Sequence, residues 1–141
     1  MLSRALFEQQ VAGLLSVGER SQWTIHGTSY PRVDVEFSGY GRTPLRVMLN
    51  CEEWDSLPPS VELCNSAGER LKQLPPQHHG IFNAGPHPIT GFPFVCTRGY
   101  KEYHTHSSHL NDRWEDLRST SGHSLGELVI RLWYAWRETW T

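Results

Sequence analysis

The chain has 141 residues, 38% of them hydrophobic and 20% charged, a length at which one domain buries one sizeable core and two independently stable domains do not fit. With 13 Lys+Arg against 15 Asp+Glu the formal net charge is −2, so the large basic field that phosphate binding needs is missing and no nucleic-acid partner is expected. No apolar run reaches the roughly 18–20 residues that cross a bilayer, and the N-terminus lacks an apolar core followed by a small-residue cleavage site; the expectation is a single domain over residues 1–141, soluble and cytoplasmic, with no membrane partner.

In chain order, residues 2–16 place Leu2, Ala5, Leu6, Val11, Leu14 and Leu15 mostly at helical spacing, with Arg4, Glu8, Gln9 and Gln10 between them. This predicts an amphipathic helix ending near Gly18. Trp23 to Ile25 follows, then Val33, Val35 and Phe37 alternating with Asp34 and Glu36, and Leu45, Val47 and Leu49 alternate in the same way after the Gly39-Tyr40-Gly41 turn. Period-two runs of this kind predict strands of an antiparallel meander. Leu57-Pro58-Pro59 interrupts the pattern before a fourth short strand, Val61-Glu62-Leu63, because two consecutive prolines continue neither a helix nor an inner strand. From Asn65 to about Ser121, Pro75, Pro76, Pro86, Pro88 and Pro93 break every regular element; an irregular stretch of that length in a compact domain is more often functional than idle. Ser124 and Glu127 then make a capping box for a helix carrying Leu125, Leu128, Val129, Leu132, Trp133, Trp136 and Trp140 on one face. These tryptophans are expected to pack in the core, with Trp140 also available as an exposed partner contact. The predicted class is α+β: an N-terminal helix, a four-stranded antiparallel meander, a long loop and a C-terminal helix.

Cys51, Cys64 and Cys96 are an odd set without a CxxC spacing, which argues against a disulfide framework and a cysteine-rich zinc module. Cys51 and Cys64 flank the Pro-Pro segment and read as core or edge filler. Cys96 lies where an extended run, Gly91 to Val95, gives way to Thr97-Arg98-Gly99, and Arg98 and nearby histidines would favour its thiolate; the competing reading is an inert buried thiol. His104, His106 and His109 fall inside six residues. Imidazoles at that spacing can converge on Zn²⁺ with Asp112 or Cys96 as a further ligand, can support catalysis, or can simply belong to a solvated loop. The His-Glu-x-x-His helix spacing of a zinc hydrolase is absent.

The order of elements, together with the segment Leu45 to Leu63 that ends in Pro58-Pro59-Ser60-Val61-Glu62-Leu63, resembles the core of ubiquitin-conjugating enzymes. His87-Pro88 stands nine residues before Cys96, where that family carries a His-Pro pair ahead of its catalytic cysteine, and Trp114 and the helix from about Ser124 complete the pattern. The resemblance covers residues 2 to 138 and is to a divergent, bacterial-type member. It departs from the family at Ile89, which replaces an expected asparagine, and in the roughly seventeen residues between Cys96 and Trp114, a gap longer than usual that the histidines fill.

The resemblance implies a fold like that of the ubiquitin-conjugating family. It also implies that Cys96 accepts the C-terminal carboxyl of a ubiquitin-like modifier from an activating enzyme, as a thioester, and passes it to a nucleophile on a target protein. Cysteine suits the task because a thioester is itself still reactive. No organic cofactor is implied, since the activating enzyme is the one that uses ATP. By the same resemblance His87 belongs to the catalytic loop as its structural support, Trp114 pins the loop after the cysteine, and the opening helix with Arg4, Glu8 and Gln9 docks the activating enzyme. For the missing asparagine, which orders the site or stabilises an oxyanion, the substitutes are His104 first, His106 second and Thr97 third. Bacterial conjugation operons, some of them antiviral, are the setting such a divergent member implies. The alternatives are a non-catalytic binding or adaptor protein of the same fold with a metal-holding histidine loop, and a small metal-dependent hydrolase, which lacks a recognisable base.

Overall fold

A computed structural model describes residues 2–141. It is an α+β protein: helix α1 (Leu2–Ser21), strands β1 (Thr24–Gly27), β2 (Arg32–Phe37), β3 (Leu45–Asn50) and β4 (Ser60–Cys64), a two-residue hairpin β5 (Phe82–Asn83) and β6 (Phe94–Val95), a short helix α2 (Lys101–His104), two single-turn 3₁₀ segments at Ser107–His109 and Trp114–Asp116, and helix α3 (Leu125–Thr139). Strands β1 to β4 form one antiparallel sheet in sequence order, as the alternation predicts.

Helix α1 runs past Gly18, where the spacing predicted its end. Gly18 is buried, and a Cβ there would stand 3.1 Å from both the Trp23 and the Ile25 side chains, so the glycine serves packing. The helix stops instead at a Schellman arrangement: Gln22 adopts φ +61, its N–H bonds the Glu19 carbonyl, and the Trp23 N–H bonds the Gly18 carbonyl at 2.9 Å. The inward stripe also differs from the predicted one. Phe7, Leu14 and Gly18 are buried, with Val11 packed beside them, whereas Leu2 is 87% exposed and Leu15 39%. The spacing 7, 11, 14, 18 keeps one helical face on the core, and Leu2, Ala5 and Leu15 lie off it.

On the sheet, Val33, Val35, Phe37, Leu45, Val47, Leu49, Val61 and Leu63 point inward and are buried, while Asp34, Glu36, Arg46 and Glu62 alternate outward. Arg46 grips Asp34 through two parallel bonds of 2.8 Å across that outer face. Helix α3 begins with the predicted capping box of Ser124 and Glu127. It packs on α1 closely enough that a Cβ at Gly126 would meet the Leu14 backbone at 3.3 Å. Trp133 and Trp136 are buried as expected. Trp140 is not an exposed contact: it is 1% exposed, with its ring 4.7 Å from Phe82, because the chain leaves the helix there and folds the indole against the hairpin. One hydrophobic cluster joins both helices, the sheet and the hairpin. No helix among the described residues is long and apolar enough to cross a membrane.

Candidate active site around Cys96

The segment that read as irregular is held in place by a sequence of specific bonds. Strand β6 delivers the chain to Cys96, whose N–H extends the hairpin by bonding the Ile81 carbonyl at 2.6 Å. A sharp bend follows at Gly99. Its φ is +100 and a Cβ there would lie 2.5 Å from Cδ2 of Leu128, so only glycine fits. Arg131 fastens the bend from α3 by donating to the Arg98 carbonyl at 2.7 Å, and the buried Tyr100 hydroxyl donates to the Leu128 carbonyl at 2.8 Å. Helix α2 is anchored by Glu102, whose carboxylate accepts the Val61 N–H of β4 at 3.2 Å. Glu102 is 5% exposed, and burial pushes its carboxyl up to about 7 against the backbone bonds that favour the ionised form.

The histidines divide by what their ring nitrogens do. His87, 1% exposed, donates from Nε2 to the Glu102 carbonyl at 2.9 Å and accepts the Ile89 N–H on Nδ1 at 3.1 Å. Both nitrogens are thus spent on tying its own turn to α2, and the Ile89 N–H, at the position where an asparagine was expected, is one of the groups His87 holds. His104, expected to supply a donor in place of that asparagine, has neither nitrogen to spare: Nδ1 donates to the Asp112 carbonyl at 2.8 Å and Nε2 accepts the Gly99 N–H at 3.0 Å. It braces the bend after Cys96. His106 accepts on Nδ1 from the Ser108 N–H and lies 2.7 Å from the Ser108 hydroxyl, with its ring stacked 5.7 Å from Phe94. His109 is different. Its Nε2 lies 3.6 Å from the Cys96 sulfur.

This sulfur–imidazole pair is what the loop brings together. Cys96 is partly buried, unlike Cys51 and Cys64, which are buried. Burial pushes the thiol of Cys51 up to about 12 and that of Cys64 up to about 11, and both stay inert. Burial raises the Cys96 thiol as well. Arg98 does not offset this, because its guanidinium is turned to Asp112 at 2.8 Å, contrary to the expected help for the thiolate. A thiol that is protonated at rest needs an adjacent acceptor to become a nucleophile, and His109 is the imidazole in reach. From sequence, His109 entered only as one of three metal ligands; the signal that would have singled it out is distance, which the spacing of thirteen residues from Cys96 does not carry.

The same bonds set where the three clustered imidazoles point. With both nitrogens of His104 bonded to backbone and His106 turned to Ser108, the imidazoles of His104, His106 and His109 do not converge. Among the described residues no group of three or more His, Cys, Asp or Glu is arranged around a common point.

Trp114 is buried, its indole N–H donating to the Asp55 carbonyl at 2.7 Å and its ring 5.8 Å from Trp54. Thr97, the third substitute donor, is half-buried beside Cys96. Arg4 and Glu8 are exposed on α1 and pair at 3.7 Å. Compared with known proteins, the chain matches no family model and no curated protein sequence.

Proposed function

We propose that the chain is a ubiquitin-conjugating-enzyme-like carrier with the corresponding fold, in which Cys96 holds the C-terminal carboxyl of a ubiquitin-like modifier as a thioester. The observation that carries this reading is the Cys96 sulfur standing 3.6 Å from His109 Nε2 at the end of a braced hairpin, together with the order of motifs in the sequence. In the first step His109 takes the proton from Sγ. The sulfur attacks the carbonyl carbon of the modifier's thioester on the activating enzyme, a new C–S bond forms, and the activating enzyme's cysteine leaves as thiolate and is reprotonated. In the second step His109, returned to neutral by giving its first proton to the departing thiolate of the activating enzyme, takes a proton from the target amine as that amine attacks the same carbon; the C–N bond forms, the C–S bond breaks, and Cys96 leaves as thiolate and receives that proton from His109. Backbone N–H groups or Thr97 take over the role of the absent asparagine, since His104 is committed to Gly99 and Asp112. The activating enzyme docks on the α1 side and supplies the ATP-derived activation, so the chain itself uses no cofactor. The setting is a cytoplasmic bacterial conjugation system, including those with an antiviral role.

The test is incubation with ATP, a ubiquitin-like modifier and its activating enzyme, followed by a non-reducing gel. A thiol-sensitive adduct is expected in the parent, in Cys51→Ala and in Cys64→Ala, and is expected to be lost in Cys96→Ala. Absence of any adduct beside a visibly charged activating enzyme removes the catalytic reading and leaves the non-catalytic adaptor of the same fold.

A further inference from the structure

The four histidines around the loop differ in how their rings are fixed. Those of His87 and His104 are fixed through their nitrogens, as is His106 through Nδ1. An imidazole nitrogen that must exchange a proton with a neighbouring sulfur cannot be held that way, because its lone pair or N–H lies in the ring plane and would be occupied. Such a ring is held either through its other nitrogen or by its face, and for His109 the contact present is to its face. His109 is stacked on Tyr103 with centroids 4.1 Å apart and planes 15° from parallel, and its other neighbour, the His106 ring, is 5.7 Å away and tilted by 45°.

Tyr103 is itself fixed at both ends. It leaves α2, which Glu102 anchors to β4, and its hydroxyl donates to Asp112 Oδ2 at 2.5 Å, the same oxygen that accepts from Arg98 Nε at 2.8 Å. The hydroxyl bond, with Arg98 behind it, holds the Asp112 carboxyl below its ordinary value, so this acceptor is a settled anion. We propose that Tyr103 is the positioning residue of the site: its ring face holds the plane of the His109 imidazole so that Nε2 is directed at the Cys96 sulfur. The inference rests on the reading of Cys96 and His109 as the reacting pair and adds how that pair is kept aligned without spending either ring nitrogen.

The rate of Cys96 alkylation by iodoacetamide at neutral pH reads the pair directly, with Cys51 and Cys64 shielded by burial. His109→Ala is expected to slow alkylation about tenfold. Tyr103→Leu, which removes the ring face, is expected to lose most of that factor, and Tyr103→Phe, which keeps the face and drops only the hydroxyl, to stay within about twofold of the parent. The double variant Tyr103→Leu/His109→Ala is expected to be no slower than His109→Ala alone, since a residue acting only through His109 has nothing further to lose. Proton NMR supplies the signature of the stack: the ring protons of His109 are expected upfield in the parent and in Tyr103→Phe, and to move downfield in Tyr103→Leu. Unchanged alkylation in Tyr103→Leu, or losses that multiply in the double variant, overturns the proposal. So does a loss in Tyr103→Leu that Tyr103→Phe shares, because the face is then not what matters. Neither readout uses the modifier, so a failed loading assay and a failed stack are separate results.

Discussion

The indole N–H of Trp114 donates to the backbone carbonyl of Asp55 at 2.7 Å, joining the segment after Cys96 to the loop that leads into the Pro58-Pro59 turn. The Asp55 side chain doubles the link by accepting from Arg118 at 3.0 Å and Ser119 at 3.1 Å. Both ends are buried, so removing the donor leaves a carbonyl that water does not reach.

Trp114→Phe keeps most of the ring packed near Trp54 and deletes that donor. It is expected to destabilise the fold by about 1–3 kcal/mol in urea unfolding, the usual cost of an orphaned buried acceptor. A change below about 0.5 kcal/mol would mean that the tie contributes little.

Gly99 carries two requirements at once, a φ of +100 and room against Leu128 Cδ2 only 2.5 Å from where a Cβ would sit. Gly99→Ala is expected to cost about 2–4 kcal/mol from backbone strain and overpacking together. It is also expected to loosen the Gly99 to His104 bond, which hydrogen exchange at the Gly99 region reports as faster opening in the variant. Exchange unchanged from the parent would separate the bend from the His104 brace.

Glu102 sets a pH dependence with a definite sign. Its folded carboxyl is raised to about 7 by burial, against an ordinary value of 4.5, so the folded state keeps a proton that the unfolded chain gives up over that window. Its contribution is therefore most favourable below about pH 4.5 and is lost as pH rises to about 7. The shift corresponds to about 3 kcal/mol. Glu102→Gln retains an oxygen for the Val61 N–H without the charge, and is expected to be more stable than the parent at pH 8 with the difference vanishing near pH 4.5. A parent-to-variant difference that does not change with pH contradicts the assignment.

The regular elements were legible because each rests on a local pattern. The alternation of Val33, Val35 and Phe37 with Asp34 and Glu36, and the Ser124–Glu127 box, each involve residues a few positions apart. The end of α1 was not, since Gly18 reads as a stop until Trp23 and Ile25 are seen to fill the space a side chain would need. Helical spacing placed Trp140 on the core face correctly, but its position at the helix end left it open as an exposed contact, because the turn that seats the indole against Phe82 is not visible in the spacing. In the site, the sequence singled out Cys96 and the histidine cluster but ranked His104 above His109. In the folded loop, backbone groups of Gly99 and Asp112 claim the nitrogens of His104, while His109 stands beside the sulfur. Those partners become visible only once the loop is folded.

The central claim is that Cys96 carries an acyl group. It is tested most directly by intact-mass measurement of the parent after incubation with ATP, a ubiquitin-like modifier and its activating enzyme. The account predicts a single species heavier by one modifier less one water, returned to the starting mass by dithiothreitol, with the linkage mapped to Cys96 and missing in Cys96→Ala. No mass increase while the activating enzyme is demonstrably charged, or an adduct that persists in Cys96→Ala, would contradict it.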